Sequence, residues 1–202
     1  MTALSSSPST TRATFQNVKH WSVEEYHKLS EVGLLDSDER TELIAGQIIL
    51  MAAQGTSHVI ALQLLALQLD DFLRDKPYFV RARHPIQLDD LSEPEPDLAI
   101  VDGNILTYAD RHPNSQDVRL IVEIADTTLH KDCNIKDKAY AQAGISEYWV
   151  LDLPNRQLHI YQQPTPQGYS RRLILKEDQV ASPSAFPELT VSISAILPPS
   201  AS

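Results

Sequence analysis

The chain has 202 residues and a mass of 22.6 kDa, which suits one domain large enough to bury a hydrophobic core without disulfides. Hydrophobic residues make up 42% and charged residues 22%, a globular composition that excludes an intrinsically disordered chain. The formal net charge of −10 argues against a protein that holds nucleic acid by an overall positive field, because phosphate contacts need lysine and arginine.

The cysteine count and the lack of long apolar stretches set the expected environment. Cys133 is the single cysteine, which excludes an intramolecular disulfide and a cysteine-rich zinc site. No segment approaches the roughly 18 to 20 apolar residues of a membrane-spanning helix. We therefore expect a cytoplasmic protein without a membrane partner. Residues 1–19, rich in Ser and Thr, are expected to be a disordered tail, with a transit peptide as the alternative, and residues 20–197 a single domain.

The first predicted elements are a capped helix and a pair of short strands. Ser22 and Glu25 have the spacing of a capping box, and Gly33 is suited to end the helix that they begin. Glu42 then begins two short extended runs around Gly46, which predict a strand pair or one bulged strand.

A long helix and a broken extended segment follow. Helical spacing over residues 57–74 places one apolar side toward the core, formed by Ile60, Ala61, Leu64, Leu65 and Phe72. Residues 78–88 are predicted to be extended but interrupted by Pro85, and residues 92–96 a proline-spaced connection.

The remaining elements are predicted to form the middle and end of a sheet. Residues 97–101 and 119–125 are short apolar runs typical of central strands, and the loop between them is long enough to make them neighbours. A helix over residues 131–144 ends at Gly144. A buried strand over residues 147–153, a hairpin over residues 157–175 and an apolar segment over residues 189–197 complete the chain.

Two carboxylates are the strongest candidates for chemistry. Glu123 interrupts an apolar strand, and a buried carboxylate without a partner costs several kcal/mol. Asp97 begins the preceding strand directly after Pro96, so both carboxylates can project from one end or edge of the sheet. A divalent cation would relieve their repulsion, and oxygen ligands favour Mg²⁺ or Mn²⁺ over zinc. Alternatively, each acid pairs with a lysine or arginine as ordinary architecture.

Lysines on the following helix can complete such a site. Lys136 lies four residues before Tyr140, so both share a helix face, and a lysine near the attacking water can orient it and stabilise phosphorane charge. We choose Lys136 over Lys138 for this reason. The alternative for either lysine is a solvated helix surface.

Other polar and basic residues are weaker candidates for the site. Glu42 and His58 could each reach a neighbouring site, although lone acids and histidines are usually structural. Basic residues that could contact nucleic acid lie in two short segments and near the site: Arg81, Arg83, His84, Arg171, Arg172 and Lys131. The sequence contains no phosphate-binding glycine loop, nucleophile elbow or His-Glu-x-x-His zinc motif.

The motifs around these residues resemble one nuclease family. They are Pro-Glu-Pro-Asp97-Leu-Ala-Ile-Val, then Val-Glu123-Ile-Ala-Asp-Thr-Thr, then Lys-Asp132-x3-Lys136-x3-Tyr140-x3-Gly-Ile-x-Glu-Tyr-Trp. Together they resemble the Uma family of restriction endonucleases in the PD-(D/E)XK nuclease superfamily, over roughly residues 20–197. The resemblance implies an α/β (α+β) fold of the restriction-endonuclease type: a mixed sheet flanked by helices on both sides, with the site at a sheet edge.

The resemblance also implies roles for individual residues. Asp97 matches the aspartate of the Pro-Asp motif and Glu123 the acid of the second strand, both as metal ligands. The superfamily lysine would stand at Ala125, and Lys136 on the helix matches it instead. Glu42 matches an acid that assists the metal site in related nucleases, and His58 matches a histidine without a defined role.

The implied function is a divalent-metal-dependent endonuclease that uses Mg²⁺ or Mn²⁺. Its expected substrate is nucleic acid, with DNA expected over RNA. Its products would be a 5′-phosphate and a 3′-hydroxyl. We also expect a homodimer, since enzymes that cut both strands often work as symmetric pairs. Two alternatives remain: a non-catalytic nuclease-fold module for binding or assembly, which the acidic charge favours, and a metal-dependent hydrolase of small phosphoesters.

Overall fold

The structure is a computed structural model that describes residues 18–36 and 38–199. The predicted tail, residues 1–19, lies outside the described residues except for Val18 and Lys19. In the described part of the chain, no helix is long and apolar enough to cross a membrane.

A six-stranded mixed sheet forms the centre of the fold. Its strand order is β3-β4-β5-β6-β7-β8, and only β5 and β6 run parallel. This confirms the predicted mixed sheet with helices on both sides. The strands of the chain are β1 (Thr41–Ile44), β2 (Gln47–Leu50), β3 (Tyr78–Ala82), β4 (Leu98–Asp102), β5 (Val118–Ala125), β6 (Glu147–Asp152), β7 (Gln157–Thr165), β8 (Gly168–Lys176), β9 (Val180–Ala181) and β10 (Val191–Ser192).

The helices are short apart from one. They are α1 (Val23–Glu31), α2 (Thr56–Leu73), α3 (Leu129–Lys131), α4 (Asp137–Gln142) and α5 (Ile193–Ile196). A π-helical turn over Asp132–Lys136 joins α3 to α4 without a break, and two 3₁₀ turns occupy the loop between β4 and β5, at Ile105–Tyr108 and Ser115–Asp117. The predicted helix over residues 131–144 is therefore present but contains a change of helical pitch.

The capping box predicted for the first helix is present in α1. The Ser22 side chain accepts a hydrogen bond from the Glu25 backbone N–H, and the Glu25 carboxylate accepts one from the Ser22 backbone N–H. Two of the N–H groups that a helix start leaves unpaired are thereby satisfied.

The predicted strand pair around Gly46 is an antiparallel hairpin of β1 and β2. Its turn places Ala45 at φ 50° and Gly46 at φ 75°, and a Cβ on Gly46 would lie 2.6 Å from the Cβ of His20. Only glycine suits that position. The hairpin matters for function because it fixes Glu42, whose side chain is fully buried.

One face of the sheet packs against α2 and α5 around a large apolar core. The side of α2 that enters this core consists of Ala61, Leu65, Leu69 and Leu73. The prediction was right about the helix and about Ala61 and Leu65, but Ile60 is 38% exposed. Since α2 is apolar on most of its circumference, its spacing alone does not select the buried side.

The opposite face of the sheet packs against the helical segment that joins β5 to β6. Because these two strands are parallel, the chain between them must cross over the sheet, and α3, the π turn and α4 make that crossing. Its core includes Tyr140, Tyr148 and Ala125, all fully buried. The crossing segment brings Lys136 against the sheet.

The apolar face of α2 gives a test of this packing. We expect Leu65→Ala to lower the free energy of unfolding by about 2 to 5 kcal/mol, because Leu65 is fully buried and its loss leaves a cavity. The matched control is Leu67→Ala, which truncates a leucine of the same helix that is 68% exposed and should change stability by less than about 0.5 kcal/mol. Urea unfolding measures both; equal losses would contradict the assigned face.

Candidate active site

Glu123 is the centre of a buried cluster of charged side chains. It lies in β5 and is 4% exposed. Its Oε1 accepts hydrogen bonds from Lys136 Nζ at 2.7 Å and from the Tyr140 hydroxyl at 2.9 Å. The predicted helix face of Lys136 and Tyr140 is thus directed at Glu123. Lys138, the lysine not chosen, is exposed.

Asp97 stands beside Glu123 at the start of β4. Leu98 pairs with Val122 in the sheet, so the residue before Leu98 and the residue after Val122 are neighbours across the two strands. The Asp97 carboxylate accepts hydrogen bonds from the Ile124 backbone N–H at 2.8 Å, from Gln54 at 3.2 Å and from His58 at 2.9 Å. Both strands are interior, so the site lies at strand ends and not along an edge strand.

Glu42 joins this cluster from the β1–β2 hairpin. Its Oε1 lies 2.5 Å from Lys131 Nζ, and its Oε2 lies 3.0 Å from Lys136 Nζ. The Glu95 backbone N–H donates to the same Oε2 at 3.2 Å. Lys136 is therefore shared between two buried carboxylates, Glu42 and Glu123, that come from separate parts of the chain.

Sequence reasoning missed Asp132 and Gln54 as members of the cluster. Asp132 is 3% exposed, lines the same cavity as Glu123, and accepts a hydrogen bond on Oδ2 from the Thr128 hydroxyl at 2.6 Å. The signal for Asp132 was its spacing, four residues before Lys136 on the same helical face. Gln54 precedes α2 in a segment without periodicity, so no sequence pattern indicates its contact with Asp97.

The π turn determines how Asp132 and Lys136 face the sheet. The backbone N–H of Asp137 bonds the carbonyl oxygen of Asp132, which widens the helix by one residue. The Tyr148 hydroxyl donates to the same carbonyl oxygen at 3.2 Å. The wider turn is held in place from β6, and π turns of this kind are often found at functional sites.

The cluster opens into a cavity of about 280 Å³. Six carboxylates line it, against the two ammonium groups of Lys131 and Lys136: Glu42, Glu95, Asp97, Glu123, Asp126 and Asp132. His58 and the segment Met51–Gly55 form another part of the wall. With all eight groups ionised the lining carries an excess of negative charge, which favours a bound cation.

Burial and mutual repulsion shift the pKa values of this cluster. Desolvation, with Asp97, Asp132 and Glu42 nearby, raises the pKa of Glu123 from 4.5 to about 8 despite Lys136. Between about pH 4.5 and 8, the folded state therefore holds a proton that an unfolded glutamate has released. Because of this difference, the free energy of unfolding falls as pH rises through this range. Desolvation also raises the pKa of Asp132.

Lys136 keeps its charge in this environment. Burial alone would lower the pKa of Lys136, but Glu123 and Glu42 raise it above its usual value. Burial would likewise raise the pKa of Glu42, yet Lys136 and Lys131 hold it below its usual value. The alternative that acids pair with lysines is therefore correct for Glu42 and for one oxygen of Glu123.

The donor set fits a hydrated magnesium ion. Glu123 Oε2 accepts no hydrogen bond from any described residue, and Asp97 lines the same cavity with carboxylate oxygens. Mg²⁺ keeps several waters and is usually bound through one or two carboxylates. The described residues contain no group of three or more His, Cys, Asp or Glu side chains placed to hold a metal ion, so the ligands from the protein would be the two carboxylates of Asp97 and Glu123.

One arginine in each of the two predicted basic segments makes contacts within the protein. Arg81 donates to the Pro85 carbonyl oxygen and contacts His112. Arg172 contacts His159 at 2.7 Å and lies over the Tyr161 ring. These side chains are engaged within the protein.

Removal of the shared ammonium group tests the cluster. We expect Lys136→Met to lower the free energy of unfolding by about 3 to 5 kcal/mol at about pH 8, because two buried carboxylates lose their cation. Without it their pKa values rise in the folded state, so the loss should be smaller at about pH 5, where both can take up protons.

The control for this substitution is Lys138→Met on the same helix, which removes an exposed ammonium group and should leave stability nearly unchanged. Urea unfolding at both pH values measures the effect. A loss that does not depend on pH, or one equal to that of the control, would contradict the buried ion-pair cluster.

Comparison with known proteins agrees with this architecture. Residues 23–194 match the family model described as "Uma2: Putative restriction endonuclease". A solved structure described as "a putative nuclease belonging to DUF820 from Anabaena variabilis" is similar in fold, with 14% sequence identity and a TM-score of 0.67, over 87% of this chain and 96% of that one. No curated protein matches. Because the family model covers most of the chain, this protein belongs to the Uma2 family of nucleases, the family that its motifs resemble.

Proposed function

We propose that this chain is a Mg²⁺- or Mn²⁺-dependent endonuclease that hydrolyses phosphodiester bonds in DNA. The observation that carries the proposal is the single cavity in which Asp97, Glu123 and Lys136 meet with an excess of carboxylates over ammonium groups. Hydrolysis of a phosphodiester needs negative charge on the phosphate to be neutralised and a water molecule to be placed opposite the leaving oxygen. The family to which the chain belongs supports a nuclease reaction.

Asp97 and Glu123 would hold the metal ion in this proposal. Bound there, the ion would polarise the scissile phosphate and neutralise its charge. His58, Gln54 and the Ile124 backbone N–H hold the Asp97 carboxylate in place. The Tyr140 hydroxyl fixes Glu123 in the same way, and burial followed by the nearby Glu123 charge raises the pKa of Tyr140, so it stays a donor.

Lys136 acts as a charged hydrogen-bond donor and not as a base. Its raised pKa keeps it protonated, so it can orient the attacking water and stabilise charge on the phosphate oxygens. Glu42 positions this ammonium group from the other side, at 3.0 Å. The water attacks phosphorus and the bond to the 3′ oxygen breaks; the water loses a proton and the 3′ oxygen gains one, which leaves a 5′-phosphate and a 3′-hydroxyl.

The size of the cavity limits how the substrate is presented. A volume of about 280 Å³ is at the small end for a ligand pocket, so it suits one phosphate group with its hydrated ion but not several nucleotides. The rest of the strand would run across the surface around the opening. A symmetric pair of chains would place two such sites on a duplex; the homodimer stays a prediction.

Cleavage assays test the reaction. With Mg²⁺ or Mn²⁺, we expect the wild-type chain to cut supercoiled or single-stranded DNA, and Asp97→Asn, Glu123→Gln and Lys136→Met each to reduce the rate by at least about a hundredfold. Lys138→Met, purified identically, should cut like the wild type and controls for contaminating nuclease. If all proteins cut equally, or if folded wild type cuts neither DNA nor RNA, the chain is a non-catalytic nuclease-fold module instead.

Metal binding can be tested without activity. We expect Mn²⁺ to raise the unfolding temperature of the wild type, because a ligand that binds only the folded state stabilises it, by about 2.7 kcal/mol at a hundred times its Kd. Asp97→Asn should lose most of this shift. The control Asp71→Asn removes an exposed carboxylate on α2 and should keep it. Equal shifts in all three proteins would show that Mn²⁺ binds elsewhere.

A further inference from the structure

Arg83 lies directly beside the proposed site but is not part of its charged cluster. It follows β3, and its backbone N–H donates to the carbonyl oxygens of Pro96 and Asp97, each at 3.1 Å. The backbone of Arg83 is thus tied to the residue that carries the proposed metal ligand.

The backbone of Arg83 adopts a conformation that is rare for a residue with a side chain. Its φ is 55°, in the left-handed region, although it is not a glycine. Such residues are found in structures mainly where the surroundings hold them, often at functional sites. Here the change of direction after β3 turns the Arg83 side chain into a groove next to the active cavity.

This groove continues from the cavity. It has a volume of about 380 Å³, and the segment Met51–Gln54 forms a wall of both spaces. Gln54 in that wall donates to Asp97. If one phosphate of a nucleic-acid strand occupies the cavity, the adjacent part of the strand would lie along the wall that Arg83 faces.

The Arg83 guanidinium has no counter-ion among the described residues. Its Nε is buried without a hydrogen-bond partner. Asp38 and Glu39 also line the groove, but neither forms an ion pair with it. Among the described residues, five other arginines are paired with carboxylates, namely Arg40 with Glu95, Arg74 with Asp71, Arg111 with Asp117, Arg119 with Asp102 and Arg156 with Glu177. Arg81, Arg171 and Arg172 form no such pair with a described residue either, but none of them lines the cavity or this groove.

An unpaired arginine is unexpected beside the active site of a chain with net charge −10. We propose that Arg83 binds a backbone phosphate of the nucleic-acid strand next to the scissile phosphodiester; this rests on the proposed function. The planar guanidinium fork matches two phosphate oxygens, and its positive charge offsets the repulsion between an acidic protein and the strand. Such a contact positions the strand without reading its sequence.

Equilibrium binding tests the role of Arg83. Fluorescence anisotropy would measure the affinity of the full chain for a labelled DNA duplex and a single strand, in Ca²⁺ to avoid cleavage and at several salt concentrations. We expect Arg83→Gln to weaken binding at least about fivefold for two unrelated sequences alike. The slope of log affinity against log salt should become shallower by about 1, as for one lost phosphate contact.

The matched control is Arg74→Gln, which removes the same charge from an exposed side chain at the C-terminal end of α2, whose N-terminal end lines the cavity. It should bind like the wild type. Arg83→Lys keeps the charge but loses the fork, so it should keep the salt slope with a weaker affinity. Thermal unfolding shows whether each variant is folded. If Arg83→Gln is not folded, Arg83→Lys replaces it in the test: weaker binding than the wild type supports the role of Arg83, and equal binding contradicts it.

The outcomes separate this inference from the proposed function. If Arg83→Gln binds like Arg74→Gln while the wild type cleaves DNA, Arg83 is not a phosphate-binding residue and the nuclease proposal stands. If the wild type binds but does not cleave, and Arg83→Gln binds more weakly, the inference stands and the nuclease proposal fails. If the wild type binds no nucleic acid at all, the role of Arg83 is overturned as well.

Discussion

The buried contact between Glu123 and Lys136 is the interaction on which the site depends. It joins a central strand to the helical segment that crosses the sheet, and through Glu42 it also holds the β1–β2 hairpin. Charges removed from water are costly unless they are paired and hydrogen-bonded. The need of each buried charge for a partner therefore fixes how these three segments are positioned relative to one another. The surrounding apolar residues supply the energy of folding, but they do not by themselves specify where the charged groups meet.

This cluster contributes little net stability compared with apolar residues of similar size. Replacement of a buried ion pair by apolar residues is often neutral or stabilising in proteins, and here the carboxylates of the cavity outnumber its ammonium groups. The excess charge, the π turn at Asp132 and the left-handed backbone of Arg83 are local departures from regular structure. The excess charge and the π turn lie at one cavity, which agrees with a region where binding or chemistry, and not packing, determines which residues are present.

The lysine beside Glu123 comes from the helical segment that crosses the sheet and not from the strand itself. In the superfamily pattern the lysine would stand two residues after Glu123, but Ala125 is fully buried in the core under the crossing helix. A long cationic side chain at that point would be enclosed by apolar neighbours. Lys136 instead approaches from that helix and places its ammonium group 2.7 Å from Glu123. The same pair of groups is obtained with the charge carried on a different element.

The sequence by itself determined the order of the elements, because apolar periodicity, caps and glycines are local signals. The mixed sheet followed from the family resemblance that the combined motifs carry, and the same motifs selected Asp97, Glu123 and Lys136 as candidates. The sequence did not determine the buried side of α2, since that helix is apolar on most of its circumference. Only the tertiary structure showed that Gln54 and Asp132 line the cavity, and that Glu42 and His58, the weaker candidates from the sequence, reach it. Residues 89 positions apart meet there, as Lys131 and Glu42 do. Such contacts depend on how helices and strands pack and leave no periodic trace in the chain.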